Sequence, residues 1–269
     1  MLKKINFHIR DNNIKYIKDS TTRYTISTDV DSKYVSVTSW VHSNFCTFNS
    51  NDIIDNMMKS SSWSTSKYNN KSKEEIKKEW ETNSKKSSNY GTHLHKYIEL
   101  FMNLETNKEK PNHSDLFEAY IMNDELFENI AKTKEWDYFL NFVDTYPKLV
   151  PYRSEWIVYN EDIKICGTID MVYENPDGSL SLYDWKRCKS LSKYSYGKFS
   201  TNKLLSNIPD SNYYRYHLQL SMYRYILETK YDKKVTSIHL VKFHPNNTDR
   251  NYEIYTLPRF DVDIGTLFT

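Results

Sequence analysis

The stretch from Ile163 to Lys186, reading IKICGTIDMVYENPDGSLSLYDWK, sets two acids and a lysine inside runs otherwise suited to buried strands. A buried charge is costly unless it is paired, so three of them in one hairpin must share a task. The turn fixes how they meet. In Asn175-Pro176-Asp177-Gly178, proline suits the first corner of a type I turn and glycine the left-handed position that follows. A loop of Pro176, Asp177 and Gly178 pairs Asn175 with Ser179, and the same register puts Asp170 opposite Asp184. Opposed side chains share a face at roughly 5 Å, and period-two alternation brings Lys186 to it as well. Two bare carboxylates at that separation repel each other. A divalent cation between them removes the conflict, and oxygen-rich sites of this kind suit Mg²⁺ or Mn²⁺. The competing reading is a plain hairpin whose polar residues face water. The apolar neighbours count against it: Gly-Thr-Ile precedes Asp170, and Tyr183 and Trp185 flank Asp184.

Away from the hairpin, hydrophobic spacing predicts the rest of the scaffold. Short alternating runs before residue 35 predict one or two peripheral strands. Ser36 or Thr38 caps a short helix carrying Trp40, Val41 and Phe45, and Asp52 caps another. Residues 59 to 90 hold eight lysines against four glutamates, which fits either a solvated helix or a DNA-facing surface. In Tyr90 to Phe101, Leu94, Tyr97, Ile98 and Phe101 recur at helical spacing, and His95 and Glu99 share a neighbouring stripe. Two helices are expected between Ser114 and Val150, with Phe117, Tyr120, Ile121, Leu126, Phe127, Ile130, Trp136, Phe139, Leu140 and Phe142 buried. A strand follows Pro151, with Glu155, Ile157 and Tyr159 on one face, where Glu155 fits a salt bridge at the rim unless the resemblance given below brings it to the site. Residues 187 to 205 contain five cations and no acid. Arg187, Lys189, Lys193 and Lys198 alternate there with Tyr194, Tyr196 and Phe199, a combination able to hold a phosphate backbone and stack bases, or simply a surface loop. Tyr213 to Thr229 reads as a helix with Gln219 and Tyr223 on one face, and strands at 235–243 and 252–257 complete the sheet.

These residues carry a resemblance. GTID, a hairpin and DWK, preceded by GTxxHxxxE and followed by QxxxY, together resemble the PD-(D/E)XK nuclease superfamily. In style they are similar to its RecB-type members and the mitochondrial genome maintenance exonuclease. The resemblance spans roughly Gly91 to Tyr223. It implies an α/β fold with a restriction-endonuclease-like core, in which a central mixed β-sheet is flanked by helices and a helical lobe is added. It also implies a metal-dependent deoxyribonuclease, an exonuclease acting on DNA ends or single strands. An endonuclease of the same fold and a catalytically silent nucleic-acid-binding module are the alternatives. Carried onto this sequence, Asp170, Asp184, His95 and the Trp185 carbonyl would hold one or two Mg²⁺ or Mn²⁺ ions. Lys186 would orient the attacking water or steady the developing charge. Glu99, Glu155, Gln219 and Tyr223 would touch DNA or support the site. Iron–sulfur relatives carry four clustered cysteines, which this chain lacks, so no cluster is expected.

Composition bounds the remainder. A chain of 269 residues suits one nuclease domain, with N-terminal strands and short helices in 1–60, a helical part in 61–150 and the catalytic sheet in 151–269. A net charge of +2 does not by itself predict nucleic-acid binding, which must come from local patches. Three dispersed cysteines, no apolar run long enough to span a bilayer and no signal-peptide core predict a soluble intracellular protein, with no membrane partner. Three of only five glycines, Gly91, Gly167 and Gly178, fall within or beside the motifs. Since glycine weakens regular elements, each is expected at a turn or a close backbone approach.

Overall fold

The computed structural model describes residues 1–17, 24–104, 125–195 and 197–269. The predicted positions Phe117, Tyr120, Ile121 and Tyr196 lie outside the described residues.

The hairpin forms as its turn dictates. Strands β4 (Val150–Asn160), β5 (Ile165–Glu174) and β6 (Leu180–Lys186) are consecutive and antiparallel. At the β5–β6 turn, Asn175 N–H donates to the Ser179 carbonyl at 2.8 Å, and Gly178 takes the left-handed φ of 76°. The ladder runs from Glu174 opposite Leu180 to Met171 opposite Tyr183, so the next pair in register is Asp170 and Asp184. There the strands part. One edge of β5 pairs with β4 at every residue except Asp170. The other edge is shared between β6, at Met171–Glu174, and a two-residue parallel strand β3 (Val35–Ser36), at Ile165 and Cys166. Gly167 to Asp170 have no strand partner on that edge among the described residues, which opens a fork at the acids.

Beyond β6 the sheet continues with a parallel strand β7 (Val235–Lys242) and an antiparallel β8 (Glu253–Leu257), making it mixed. Among the described residues, strands β1 (Ile14–Tyr16) and β2 (Tyr24–Ile26) pair only with each other. Each face of the main sheet carries helices, because alternate residues of β6 and β7 are apolar on both sides. Leu180, Leu182, Ile238 and Leu240 pack with Leu218, Met222 and Ile226 of the long helix Asn212–Lys230 and with Val37 and Val41 of Val37–Ser43. Tyr183, Trp185, Val241 and Phe243 pack with Leu94, Tyr97, Ile98 and Phe101 of helix Lys73–Met102, and with Trp136, Phe139 and Phe142 of helix Lys134–Thr145. Among the described residues the helices, in chain order, are α1 (Leu2–Ile5), α2 (Val37–Ser43), α3 (Ser50–Met58), α4 (Lys73–Met102), α5 (Glu125–Ala131), α6 (Lys134–Thr145) and α7 (Asn212–Lys230). Helix α4 starts at a reciprocal cap, with Glu75 N–H donating to Ser72 Oγ and Ser72 N–H donating to the Glu75 carboxylate.

Two expectations need correction. Leu126, placed in the core by its spacing, is exposed, whereas Ile130, one turn on in the short helix α5, is buried. Gly91 is neither at a turn nor at a close approach: it sits inside α4, and a Cβ there would meet no atom within 4 Å. Gly167 fits the expectation. A Cβ there would lie 2.8 Å from the Tyr223 hydroxyl, so β5 and α7 can close together only over a glycine.

Candidate active site

Trp185 shows how the fold aims the site. Its indole is fully buried and packs edge-on against Phe139 and Phe142 at 6.3 and 5.5 Å. A buried aromatic side chain of this kind is worth about 1.5–3 kcal/mol or more, and it fixes the backbone between Asp184 and Lys186. The two backbone groups of Trp185 then serve its neighbours. Its N–H donates to Asp170 Oδ2 at 2.9 Å, closing the fork where the ladder stops, and its carbonyl lies 3.0 Å from His95 Nε2. A carbonyl only accepts, so Nε2 carries the proton and the lone pair of His95 is on Nδ1. That Nδ1 stands 3.6 Å from Asp170 Oδ2 and 3.9 Å from Glu155 Oε1.

Glu155 is the third acid of the site. The β4–β5 register pairs Ser154 with Met171 and Trp156 with Ile169, which places Glu155 across from Asp170. The acids Glu155, Asp170 and Asp184 therefore follow one another across three adjacent strands. Glu155 has a φ of 43°, a left-handed conformation that costs a side-chain-bearing residue roughly 1–3 kcal/mol and is kept where the surroundings over-determine it. Its backbone drops out of the ladder at that point. One donor atom each from His95, Glu155 and Asp170 lie within 4.8 Å of one another, and each of the three residues is partly exposed.

Asp184 lies deeper, at 1% exposure, outside this compact group. Its Oδ1 accepts from Gln219 Nε2 at 3.3 Å, and its Oδ2 is 2.6 Å from Lys186 Nζ, an ion pair without hydrogen-bond alignment. The Lys186 ammonium also lies 4.5 Å from the ring centre of Tyr216, a partner that the sequence patterns did not single out. Tyr223, 3% exposed, stands behind the site and packs over Gly167.

Electrostatics marks the cluster as one that cannot hold its own charge. Burial, then Asp170, Glu99 and Asp184, push Glu155 up to about 9. Burial raises Asp170, and it carries Asp184 up to about 7 against the opposing pull of Lys186. Burial likewise raises Glu99. Loss of solvation lowers His95 to about 4, which keeps Nδ1 free to ligate. Burial alone would lower Lys186, but Asp184 and Asp170 outweigh it and push its pKa up, so the ammonium persists. Several carboxylates around a neutral imidazole nitrogen fit a divalent cation of the Mg²⁺ or Mn²⁺ kind.

The basic segment after Lys186 divides. Lys189, Lys193, Tyr194 and Lys198 are exposed, Tyr194 at 80%, with the Lys193 ammonium over the Tyr213 ring. Arg187 turns inward instead. Its Nε donates to the buried Glu135 at 2.8 Å and its guanidinium covers the Tyr90 ring, so it braces α4 against α6 rather than facing a strand of nucleic acid. Sequence reading missed this because Glu135 gives no local sign of being buried.

A sequence model of the PD-(D/E)XK nuclease superfamily matches residues 66–260. The chain belongs to the PD-(D/E)XK nuclease superfamily. Its mixed sheet flanked by helices is the restriction-endonuclease-like α/β fold of that superfamily, and membership implies a metal-dependent nuclease acting on DNA. No curated protein sequence matches the chain. Among solved structures it is similar to one described as "Crystal structure of SSO0001", at 13% identity and a TM-score of 0.28, covering 66% of this chain and 81% of the other. No described helix is long and apolar enough to cross a membrane.

Proposed function

We propose that the protein is a Mg²⁺- or Mn²⁺-dependent exonuclease of the RecB-type branch, acting on DNA ends or single strands inside the cell, in replication, repair or recombination. The whole chain is read as one nuclease unit. The observation that carries this reading is the convergence of Glu155, Asp170 and His95 Nδ1 within 4.8 Å, with Asp184 and Lys186 alongside.

In this reading Asp170, Glu155 and His95 hold the cation, and Asp184 is the carboxylate next in line. When bound, the cation polarises the scissile phosphate and lowers the pKa of a bound water. The Trp185 N–H orients Asp170, and the Trp185 carbonyl fixes the tautomer of His95. The resemblance implied that this carbonyl is itself a ligand; its contact here is with the imidazole. Lys186, held protonated between Asp184 and Tyr216, steadies negative charge developing on the phosphate. Gln219 holds Asp184 in place, with Tyr223 behind it. Since His95 is a softer ligand than Mg²⁺ prefers, Mn²⁺ is expected to support the higher rate.

The test is cleavage of end-labelled single- and double-stranded DNA and of closed circles, by the parent protein and by Asp184→Ala and Lys186→Ala, with Mg²⁺, Mn²⁺ or EDTA. The reading expects metal-dependent shortening from ends that both variants lose. Cleavage of closed circles would replace the exonuclease with an endonuclease, and binding of DNA without any cleavage would replace it with a silent module.

A further inference from the structure

A groove of about 710 Å³ lies between Phe48 and the stretch of α4 from Lys77 to Asn89. Its apolar surface is aromatic. Phe48 is 69% exposed and its ring centre lies 6.3 Å from that of Trp80. Trp80 is held in place from behind, with its Nε1–H donating to the Tyr68 hydroxyl at 2.9 Å and its ring edge-on to Tyr68. The rim is polar and mostly uncharged, with Asn83 and Ser88, and its lysines Lys77 and Lys85 outnumber its single acid, Glu81. No carboxylate among the described residues lies within ion-pair distance of either lysine, whereas Lys71 and Lys73 nearby are paired with Glu79 and Asp55.

The groove is joined to the acid cluster by helix geometry. At about 100° per residue, Lys77, Glu81, Ser84, Ser88 and Gly91 all lie within about 40° of His95 on the wheel of α4. Ser88 is then roughly 10 Å and Lys77 roughly 27 Å along the axis from His95. The stripe between groove and cluster is left open at Gly91, where no atom lies within 4 Å of a notional Cβ. That openness gives a reason for a glycine that the helix itself does not need.

We propose that this groove and stripe form a tract for single-stranded DNA leading along α4 to the acid cluster. Bases stack on Phe48 and Trp80, Lys77 and Lys85 meet phosphates, and the strand passes Gly91 to reach His95. Aromatic platforms beside cations are how single strands are held without reading sequence, and a rigid helix carries the strand from one site to the other. The proposal rests on the nuclease reading for its end point only.

The test separates binding from cleavage. Affinity for an oligothymidylate of about twelve nucleotides is measured in EDTA by fluorescence anisotropy, for the parent, Phe48→Ala, Trp80→Phe and Gly91→Leu. Phe48→Ala is expected to weaken binding roughly tenfold, and Trp80→Phe, which keeps a stacking face, to weaken it less. Gly91→Leu puts a better helix former into open space, so its melting temperature should not fall, yet it should weaken binding by obstructing the stripe. If Phe48→Ala and Gly91→Leu both bind within about twofold of the parent, the tract is overturned and the groove is left to a protein partner. A parent that binds through the groove but cleaves nothing with Mn²⁺ removes the nuclease and keeps the tract. A parent that cleaves while both variants bind undiminished removes the tract alone.

Discussion

Arg153 and Glu155 stand two residues apart on β4, and their surroundings treat charge in opposite ways. Arg153, 3% exposed, donates to Asp11 Oδ2 at 2.7 Å, while Asp11 Oδ1 accepts from Trp156 Nε1 at 3.0 Å. Burial works against the Asp11 carboxylate, but the Arg153 bond and its other donors outweigh it and hold its pKa down. The opposite charges of Arg153 and Asp11 are balanced within the protein. Glu155 faces Asp170 and a neutral His95, and its pKa is driven up to about 9. The strand thus carries one buried charge neutralised from within and one carboxyl that, without an added cation, is kept protonated by its surroundings. A neutralised charge of this kind is architecture, and an uncompensated cluster beside it is where chemistry should be sought.

Substitution should separate the two. Asp170→Asn keeps an acceptor for the Trp185 N–H and relieves repulsion, so metal-free stability should hold or rise while cleavage drops by about a hundredfold or more. Asp11→Ala should do the reverse, leaving Arg153 buried and uncompensated at a cost of about 3–5 kcal/mol in denaturant unfolding. A stable Asp11→Ala protein, or an unstable but active Asp170→Asn protein, breaks the comparison.

Gly167→Ala probes the fork from behind. Its Cβ would drive into the Tyr223 ring, and overpacking of this kind costs about 1–3 kcal/mol. Because Tyr223 stands beside Gln219, the displacement should also lower activity; a variant as stable and active as the parent would show that the close approach does not hold the site.

A further effect is expected in pH. Between the ordinary glutamate value of 4.5 and about 9, the folded metal-free protein keeps a proton on Glu155 that the unfolded chain has released, so stability falls as pH rises through that window. Asp11 has the opposite sign. Its lowered value gives stability that is complete above the ordinary carboxylate range and is lost as pH falls through the lowered value. Melting temperatures in EDTA should therefore decline from about pH 6 to about pH 8.5, and Mn²⁺ should remove that decline. An identical profile with and without Mn²⁺ would count against a cation at Glu155.

Much of this arrangement was legible from the amino acids alone, and the reasons differ by element. The β5–β6 register could be read because a three-residue turn with proline and glycine in set places leaves one pairing, and because period-two alternation is short-ranged. Helices α4 and α7 could be read because Leu94, Tyr97, Ile98 and Phe101, and Leu218, Met222 and Ile226, recur at helical spacing. The place of Glu155 could not be fixed. The β4–β5 register shifts between Pro151 and Arg153, and the left-handed φ at Glu155 has no signature in a glutamate side chain. Partners distant in sequence were equally out of reach. Glu135 draws Arg187 away from the basic segment, Tyr216 meets Lys186, and the two residues of β3 add to the sheet far from their chain neighbours. Each depends on which surfaces meet in three dimensions, and no local pattern encodes that.

The central claim is that the acids across β4, β5 and β6, with His95, form a divalent-cation site. Calorimetric titration of the metal-free protein with Mn²⁺, in two buffers of different ionisation enthalpy, tests it most directly. The account predicts saturable binding near neutral pH, with proton release from the raised carboxylates, and loss of both in Asp170→Asn. Absence of saturable binding, or binding without proton release that Asp170→Asn leaves intact, would contradict it.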